Sequence, residues 1–475
     1  MPADVSTQSA AVADMAQCWP MIDALVGGTG AMRAAGKTFL PQFPAETADA
    51  YKCRLETATL FPAFSRTTNV LAAKPLSKAI DVDGVPPEIE GLFENVDGEG
   101  STLHAFAGAL MLGCLQYGLW GVLVDCPPAE NVKTKADEAA AGVRPYFAVY
   151  KSAAILGWRA TGKVLTQLRL LEQVTEPDGD FGEVSIDQVR VLTPGAWQVW
   201  RKAKRENGRD EWGLFGEGKT SISKVPFVFF YGIRQGFGLG KPPLLDLAYL
   251  NVEHWQSSSD QQTILHTARV PILFGRGFNE DDQIIVGASS LTKTTSATAE
   301  LSFVEHTGAA IGAGRQSLVD LEDRMRQTGA ELLVQQPMQT TATQTVSEGE
   351  GSRSILQRIV ENFEESLEEC IGLMGEWLGL TFEVEVTLFK DFGATDLSDQ
   401  SSNILLQAGD KDYVSPQTVF QGLQRRDIVP PDVKWEDEQK LIAANAKAKA
   451  ARAPKIPDVK PPPDNEAGDG LDATE

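Results

Sequence analysis

Residues Arg353 to Trp377 constrain this chain more than any other stretch. Leu356, Ile359, Val360, Phe363, Leu367, Cys370, Ile371, Met374 and Trp377 recur at steps of three or four residues. That spacing puts all of them on one stripe of an α-helix. Glu361, Glu364, Glu365, Glu368, Glu369 and Glu376 fall on the opposite face. A helix of about 25 residues is roughly 38 Å long, twice the ordinary mean of about 11–12 residues. Just before it, Gln335 to Ser347 carries no charge and is rich in Thr and Gln. A long one-sided helix introduced by a neutral polar loop is the skeleton of the chain. Pattern alone also fits an ordinary core helix behind a surface loop, its acidic face solvated.

Charge narrows the function classes. Lys and Arg number 43 and Asp and Glu 65, for a net charge of −22. Tight wrapping of nucleic acid is disfavoured, because phosphate binding rests on cationic side chains. A passage through which DNA slides without gripping is compatible with this charge. The five cysteines (Cys18, Cys53, Cys114, Cys126, Cys370) form no CxxC pair, and the four histidines are scattered. Neither a disulfide framework nor a metal site is expected, and no cofactor is called for. The first 20 residues lack a basic segment followed by an apolar run, and no apolar run reaches about 18 residues. With 475 residues the chain can bury one large core or divide into two or three domains.

Along the chain, residues 1–20 are small and polar and read as disordered. Glu46 to Leu71 reads as helix broken at Pro62. Ser101 is placed to cap a helix to Tyr117, and Val122 to Asp125 is a short buried strand. From Arg144 to Tyr231, short β-type runs separated by Gly, Pro and Asp-Gly turns predict one antiparallel meander. A helix over 244–267 follows the joint Gly236 to Pro243. The strands 271–274 and 300–304 come next, then a return helix over 315–334. Both helices are mostly polar, so neither reads as a core helix, and their faces are expected to meet neighbouring copies. After the long helix come a strand over 381–389 and short helices over 398–408 and 416–426. From Ala446 onward the Lys/Ala- and Pro-rich tail reads as disordered.

Two motifs suggest nucleotide chemistry. Ala31-Met-Arg-Ala-Ala-Gly36-Lys37-Thr38 approaches a phosphate loop, and Gly121-Val-Leu-Val-Asp125 could supply a magnesium-binding strand. The mechanism requires a strand running into the loop and a helix opening at Lys37-Thr38. Here Phe39-Leu-Pro-Gln-Phe-Pro follows, and prolines at those positions do not open a helix. Gly236-Phe-Gly-Leu-Gly-Lys241 leads into Pro242-Pro243 and reads as a hinge. No GxSxG is present.

The order of outgoing helix, small β tip, return helix, polar loop, long helix, strand and short C-terminal helices resembles the portal proteins of tailed bacteriophages. Asp23-Ala-Leu-Val-Gly-Gly with Ala31-Met-Arg-Ala-Ala-Gly and Phe39-Leu-Pro, then Tyr51-Lys-Cys-Arg-Leu, resembles the N-terminus of a portal-like phage family formerly of unknown function. Gly100-Ser-Thr-Leu-His-Ala-Phe and Tyr117-Gly-Leu-Trp-Gly-Val-Leu-Val-Asp-Cys-Pro look like the same family, and Tyr413-Val-Ser-Pro-Gln-Thr-Val-Phe is similar to the portal C-terminal segment.

The resemblance implies an α+β portal-type fold with a mainly helical stem and crown, an antiparallel β wing and a small α/β clip. Its parts would be a wing over 21–235 and stem helices over 236–270 and 309–334, with a clip over 271–308. A tunnel loop over 335–352, a long wing helix and strand over 353–394 and a crown over 395–445 would complete it. It also implies a homo-oligomeric ring, usually of twelve subunits, at one capsid vertex of the virion, assembled in the host cytoplasm. Double-stranded DNA would pass through it, and terminase, a head-tail adaptor, and capsid and scaffolding proteins would be partners; neither an enzyme nor a membrane protein is implied. Gln335, Gln336, Gln339, Thr341, Thr343 and Gln344 would line the channel. Leu247, Trp255, Leu318, Leu321 and Met325 would form subunit interfaces in the stem, and Phe274, Lys293 and Phe303 would face the adaptor. Glu331 and Glu348 bracket sixteen uncharged residues, which offer hydrogen bonds without counterion release. The alternatives are a P-loop-like ATPase built on residues 31–38 and 121–125, or a virion structural protein without a channel.

Overall fold

The computed structural model describes residues 4–127, 144–204, 210–268, 272–278, 298–304, 309–333, 353–390, 392, 415–424, 429 and 433–452. The chain forms two compact units, residues 1–390 and 391–475. The fold is α+β with antiparallel sheets, as the sequence implies.

The N-terminal segment expected to be disordered is folded from residue 4 onward. Helix α1 (Ala10–Ala16) is capped by the Ser9 hydroxyl, and the Ser9 N–H donates to the Leu156 carbonyl at 2.8 Å. Val12 and Trp19 are buried, and Met15 packs on the core between the sheets. Val12 and Met15 lie three residues apart on one face of α1, and Trp19 opens the next helix, apolar positions in an otherwise small and polar stretch. Helices α2 (Trp19–Val26), α3 (Gly28–Ala35), α4 (Ala48–Thr57) and α5 (Ala63–Ala73) follow, with the break at Pro62 as expected. Next come strand β1 (Asp81–Asp83), helix α6 (Pro87–Glu90) and helix α7 (Leu103–Tyr117). Thr102, not Ser101, caps α7 by accepting from the Ala105 N–H. Gly118 ends it at φ 83°, where a Cβ would lie 2.5 Å from the Lys241 backbone.

The expected single meander is two sheets. Strands β2 (Leu119–Asp125), β3 (Tyr146–Tyr150) and β9 (Phe227–Tyr231) form one, in the order β3-β2-β9. Strands β4 (Ile155–Thr161), β5 (Val164–Asp178), β6 (Gly182–Thr193), β7 (Ala196–Lys204) and β8 (Asp210–Lys219) form the other, in sequence order. The reason lies in β9, whose five residues are all buried. Phe227, Phe229 and Tyr231 pack with Ile155, Leu165, Leu168, Leu170 and Leu192 between the sheets. Phe230 faces the other way and meets Phe363 edge-on, ring centroids 5.0 Å apart. A strand apolar on both faces belongs in a middle layer rather than in a half-exposed meander.

The small hairpin β10 (Ile233–Gly236) and β11 (Leu239–Lys241) leads to helix α8 (Leu245–Ala268). Strands β12 (Ile272–Arg276) and β13 (Glu300–Val304) then pair antiparallel, Ile272 opposite Val304 and Arg276 opposite Glu300. Helix α9 (Ala309–Ala330) returns and ends in a 3-10 turn at Glu331–Leu333. Helix α10 (Ile355–Leu378) is the long helix, opened by a capping box between Ser354 and Gln357. Leu356, Ile359, Val360, Phe363, Leu367, Cys370, Ile371 and Met374 are all buried, and the Trp377 Nε1–H donates to the Val124 carbonyl at 2.8 Å.

Its acidic face is not simply solvated. Glu364 is buried and accepts from the Leu388 N–H at 2.7 Å and from Lys390 Nζ at 2.8 Å, while Glu368 accepts from the Val386 N–H at 3.0 Å. The strand expected over 381–389 shortens to β14 (Glu385–Thr387), paired with β1.

In the second unit, helix α11 (Pro416–Gln424) starts behind Ser415, whose hydroxyl accepts from the Thr418 N–H. Helix α12 (Trp435–Arg452) continues into the segment expected to be disordered from residue 446. Phe420 and Trp435 hold the two helices together, ring centroids 5.4 Å apart. The helix expected over 398–408 and the tail beyond 452 lie outside the described residues.

Candidate functional site

The hairpin of α8, β12–β13 and α9 is the candidate site, and its base is anchored in the chain's own body. Helix α8 has little apolar bias to any face, yet Leu247, Ala248, Asn251, His254, Trp255, Ser259 and Gln261 are buried. It packs on α2, α4, α5 and α9. A polar helix is stable inside a protein when its side chains find partners. Asn251 Oδ1 accepts from the Phe64 N–H at 2.9 Å, and its Nδ2 donates to the Phe61 carbonyl at 2.8 Å. Gln256 Nε2 donates to the Phe39 carbonyl at 3.0 Å, and Gln261 Nε2 to the Ile311 carbonyl at 3.0 Å. Arg54 holds both Glu46 oxygens at 2.8 and 2.9 Å, donates to the Pro41 carbonyl at 2.7 Å and reaches Asp260 at 3.4 Å. The hydrogen bonds from Arg54 hold the Glu46 carboxyl below its ordinary pKa, while burial raises that of Asp260.

This corrects the reading of the stem residues. Leu247, Trp255, Leu321 and Met325 are 0, 0, 4 and 2% exposed in the single chain, so neighbouring copies do not reach them. Leu318 is half-buried. His254 sits among them, its Nε2 3.6 Å from Glu322 and its ring centroid 5.3 Å from that of Phe61. Burial pushes its pKa down, and the Glu322 carboxylate opposes that shift.

Past Gln261 the hairpin leaves this support. Gln262, Thr263, Ile264 and His266 are exposed on α8, and Arg315, Gln316, Ser317, Val319 and Asp320 on α9. At the tip, Phe274 and Leu301 are 51 and 39% exposed. Phe303 lies opposite Leu273 in the register of the two strands. The Phe303 side chain, Lys293, and Gln335, Gln336, Gln339, Thr341, Thr343 and Gln344 lie outside the described residues.

A protein-family profile described as a domain of unknown function (DUF4055) matches residues 243–378, which run from the start of the hairpin to the end of α10. No curated protein matches the chain. Among solved structures, the chain is similar to one in the virion of a native gene transfer agent (GTA) particle, at 10% identity and a TM-score of 0.40, covering 74% of this chain and 86% of that one. It is also similar to a chain in the neck of an empty GTA particle computed with C6 symmetry, at 11% identity and a TM-score of 0.40, covering 74% and 87%. A chain in the neck of a native GTA particle computed with C12 symmetry matches at 11% identity and a TM-score of 0.38, covering 74% and 86%.

The residues of the nucleotide alternative do not come together as a phosphate site. Helix α3 precedes Gly36 and a 3-10 turn covers Gly36–Thr38, so no helix opens toward a phosphate there. Lys37 Nζ lies 5.6 Å from the Tyr51 ring centroid. Asp125 is ion-paired with Arg190 at 2.7 Å, and the Tyr146 hydroxyl donates to it at 3.5 Å. The same guanidinium lies 2.7 Å from Glu172, which also accepts from Tyr150 and Gln188. This network ties β2 and β3 to β5 and β6. Among the described residues no cluster of His, Cys, Asp and Glu could hold a metal ion, and no helix is long and apolar enough to cross a membrane.

Sequence reasoning missed Arg54, Asn251, His254 and Gln261 as anchors of the hairpin. Arg54 lies inside Tyr51-Lys-Cys-Arg-Leu, so the resemblance touched one of them. For the other three, polarity argued for the surface, and no local signal reveals a distant partner, whether the backbone met by Asn251 and Gln261 or the Glu322 side chain beside His254.

Proposed function

We propose that this chain is a bacteriophage portal protein. Copies would form a homo-oligomeric ring at the capsid vertex of the virion, through which double-stranded DNA is packaged and ejected. Terminase and then a head-tail adaptor would dock on the hairpin tip, and the chain itself would carry no hydrolytic chemistry.

One observation supports this best. The hairpin is rooted in the body by buried polar anchors, yet beyond Gln261 most described residues of its two helices are exposed, and a two-stranded tip exposes Phe274 and Leu301. A lone two-stranded sheet is marginal in water, and short helix pairs rely on packing for stability. Neighbouring copies and a docked partner supply that packing. Among the described residues, helix, strand pair, helix and long helix follow in the order the sequence resemblance implies, and the net charge of −22 suits a wall along which DNA slides.

Mass photometry and negative-stain imaging of the purified chain test the reading. The expected result is a ring with a central hole, many times the 51.4 kDa of one chain, with no ATP turnover. A monomer under all conditions overturns it.

A further inference from the structure

In the five-stranded sheet, two strands run on past their neighbours. Strand β4 pairs with β5 only as far as Leu170, and β7 pairs with β6 only from Gln188 onward. Between those limits β5 and β6 pair with each other alone, Glu172 opposite Gln188 and Asp178 opposite Gly182. Six steps along a strand make this ribbon about 20 Å long. Residues 177–185 are all exposed, and Phe181 at the apex is 101% exposed. Glu176, Asp178, Asp180, Glu183 and Asp187 give the ribbon five acidic residues between 176 and 187, with no basic one. Arg201 of β7 holds Glu176 at 2.7 Å, but beyond it the ribbon is exposed throughout, and a fully exposed aromatic ring on such an acidic tip marks an interaction site.

The base of the same sheet bears a groove of the opposite character. It has a volume of about 400 Å³ and is lined by Trp158, Arg159, Arg169, Gln198, Trp200 and Asp4, among others. That is within the range of about 300–1,000 Å³ typical of binding clefts. Arg159 is exposed and has no ion-pair partner among the described residues. Among the described residues, Arg169 donates to the backbone carbonyls of Val5 at 2.9 Å and Asp4 at 3.4 Å. Burial, and then the neighbouring Arg159 charge, lower its pKa, and the nearby Asp4 carboxylate opposes them only in part. Asp4 is one carboxylate beside two guanidinium groups, and its Oδ1 is shared with the Ser6 N–H at 2.9 Å, the Ser6 hydroxyl at 2.8 Å and the Thr7 hydroxyl at 3.1 Å.

We infer that the acidic ribbon tip, led by Phe181, seats in the Trp158–Trp200 groove of a second copy, where Arg159 and Arg169 meet its carboxylates. The ribbon cannot fill its own groove. From Arg169 to Asp178 is nine strand steps, about 30 Å of extended chain pointing away. A knob and a distant socket on one chain give a heterologous contact, which closes into a ring when the rotation permits. The inference rests on the homo-oligomeric reading and names one of its contacts.

The test uses the full chain in two parts. Replacing Phe181 with the photocrosslinker benzoylphenylalanine, in a mixture of ¹⁴N- and ¹⁵N-labelled protein, is expected to give mixed-isotope crosslinks to residues 156–169 or 198–200. In the second part, Asp180→Arg and Arg159→Glu, both at exposed positions, are each expected to weaken assembly on the order of tenfold, and the double variant to restore it. Thermal melts matching the parent chain would show that each variant folds. Rings that form normally in both single variants, with crosslinks elsewhere, would overturn this contact and leave the ring reading standing. A parent chain that stays monomeric would overturn both.

Discussion

At the scale of single residues, Glu364 and Glu368 show how a helix can hold an irregular edge in place. They are four residues apart on α10, a rise of about 6.0 Å. The N–H groups they accept from, Leu388 and Val386, are two strand residues apart, about 6.8 Å. The near match lets two carboxylates take the place of a missing neighbour strand along β14. Glu364→Ala leaves the Leu388 N–H and the Lys390 ammonium without their partner. A loss of about 2–3 kcal/mol is expected from urea unfolding, and a smaller loss for Glu368→Ala. His254 gives a pH test. Its folded-state pKa is depressed, with burial opposed only by Glu322, so the folded chain resists protonation more than the unfolded chain does. Stability attributable to His254 is therefore present above its ordinary value of 6.5 and is lost as pH falls through the folded value. Melting curves from pH 7.5 to 5.5 are expected to shift downward, and His254→Gln is expected to flatten that slope. Glu46 adds stability in the same sense at lower pH, because Arg54 holds its pKa below the ordinary 4.5.

At the scale of elements, the instructive case is the N-terminus of α5. Pro62 breaks the helix before it and offers no side-chain cap. The cap comes from Asn251, 187 residues further along, which accepts from the Phe64 N–H and donates to the Phe61 carbonyl. Asn251→Leu is expected to destabilise by about 2–4 kcal/mol, although it adds apolar surface to a core position, because it strands buried backbone groups. Differential scanning calorimetry reads this directly, and a variant as stable as the parent would show that water satisfies those groups. The cap of α10 is local by comparison. Ser354→Ala is expected to cost about 1 kcal/mol, measured by chemical denaturation.

At the scale of the whole molecule, the proposed ring places the uncharged run between Glu331 and Glu348 against DNA in many copies. One cation per copy would multiply around a ring into a strong, salt-dependent grip. Gln339→Lys or Thr341→Lys is therefore expected to slow packaging or release, with the defect relieved at higher salt. Packaging that proceeds at the parent rate in such a variant would remove that loop from the channel.

The sequence by itself determined the elements whose signals are short-ranged. The stripe from Leu356 to Trp377, the break at Pro62 and the order helix, strand, strand, helix through the hairpin all follow from spacing and turn chemistry over a few residues. What only the tertiary structure decided is where polar groups find their partners. Asn251, Gln261, Arg54 and Glu364 look like surface residues in a one-dimensional pattern, and they are buried because distant backbone groups complete their hydrogen bonds. The same logic moved Leu247, Trp255, Leu321 and Met325 from an interface between copies into the chain's own core, and divided one expected meander into two packed sheets. Hydrophobic periodicity records which side chains avoid water. It carries no record of which distant amide or carbonyl makes burial tolerable for the others.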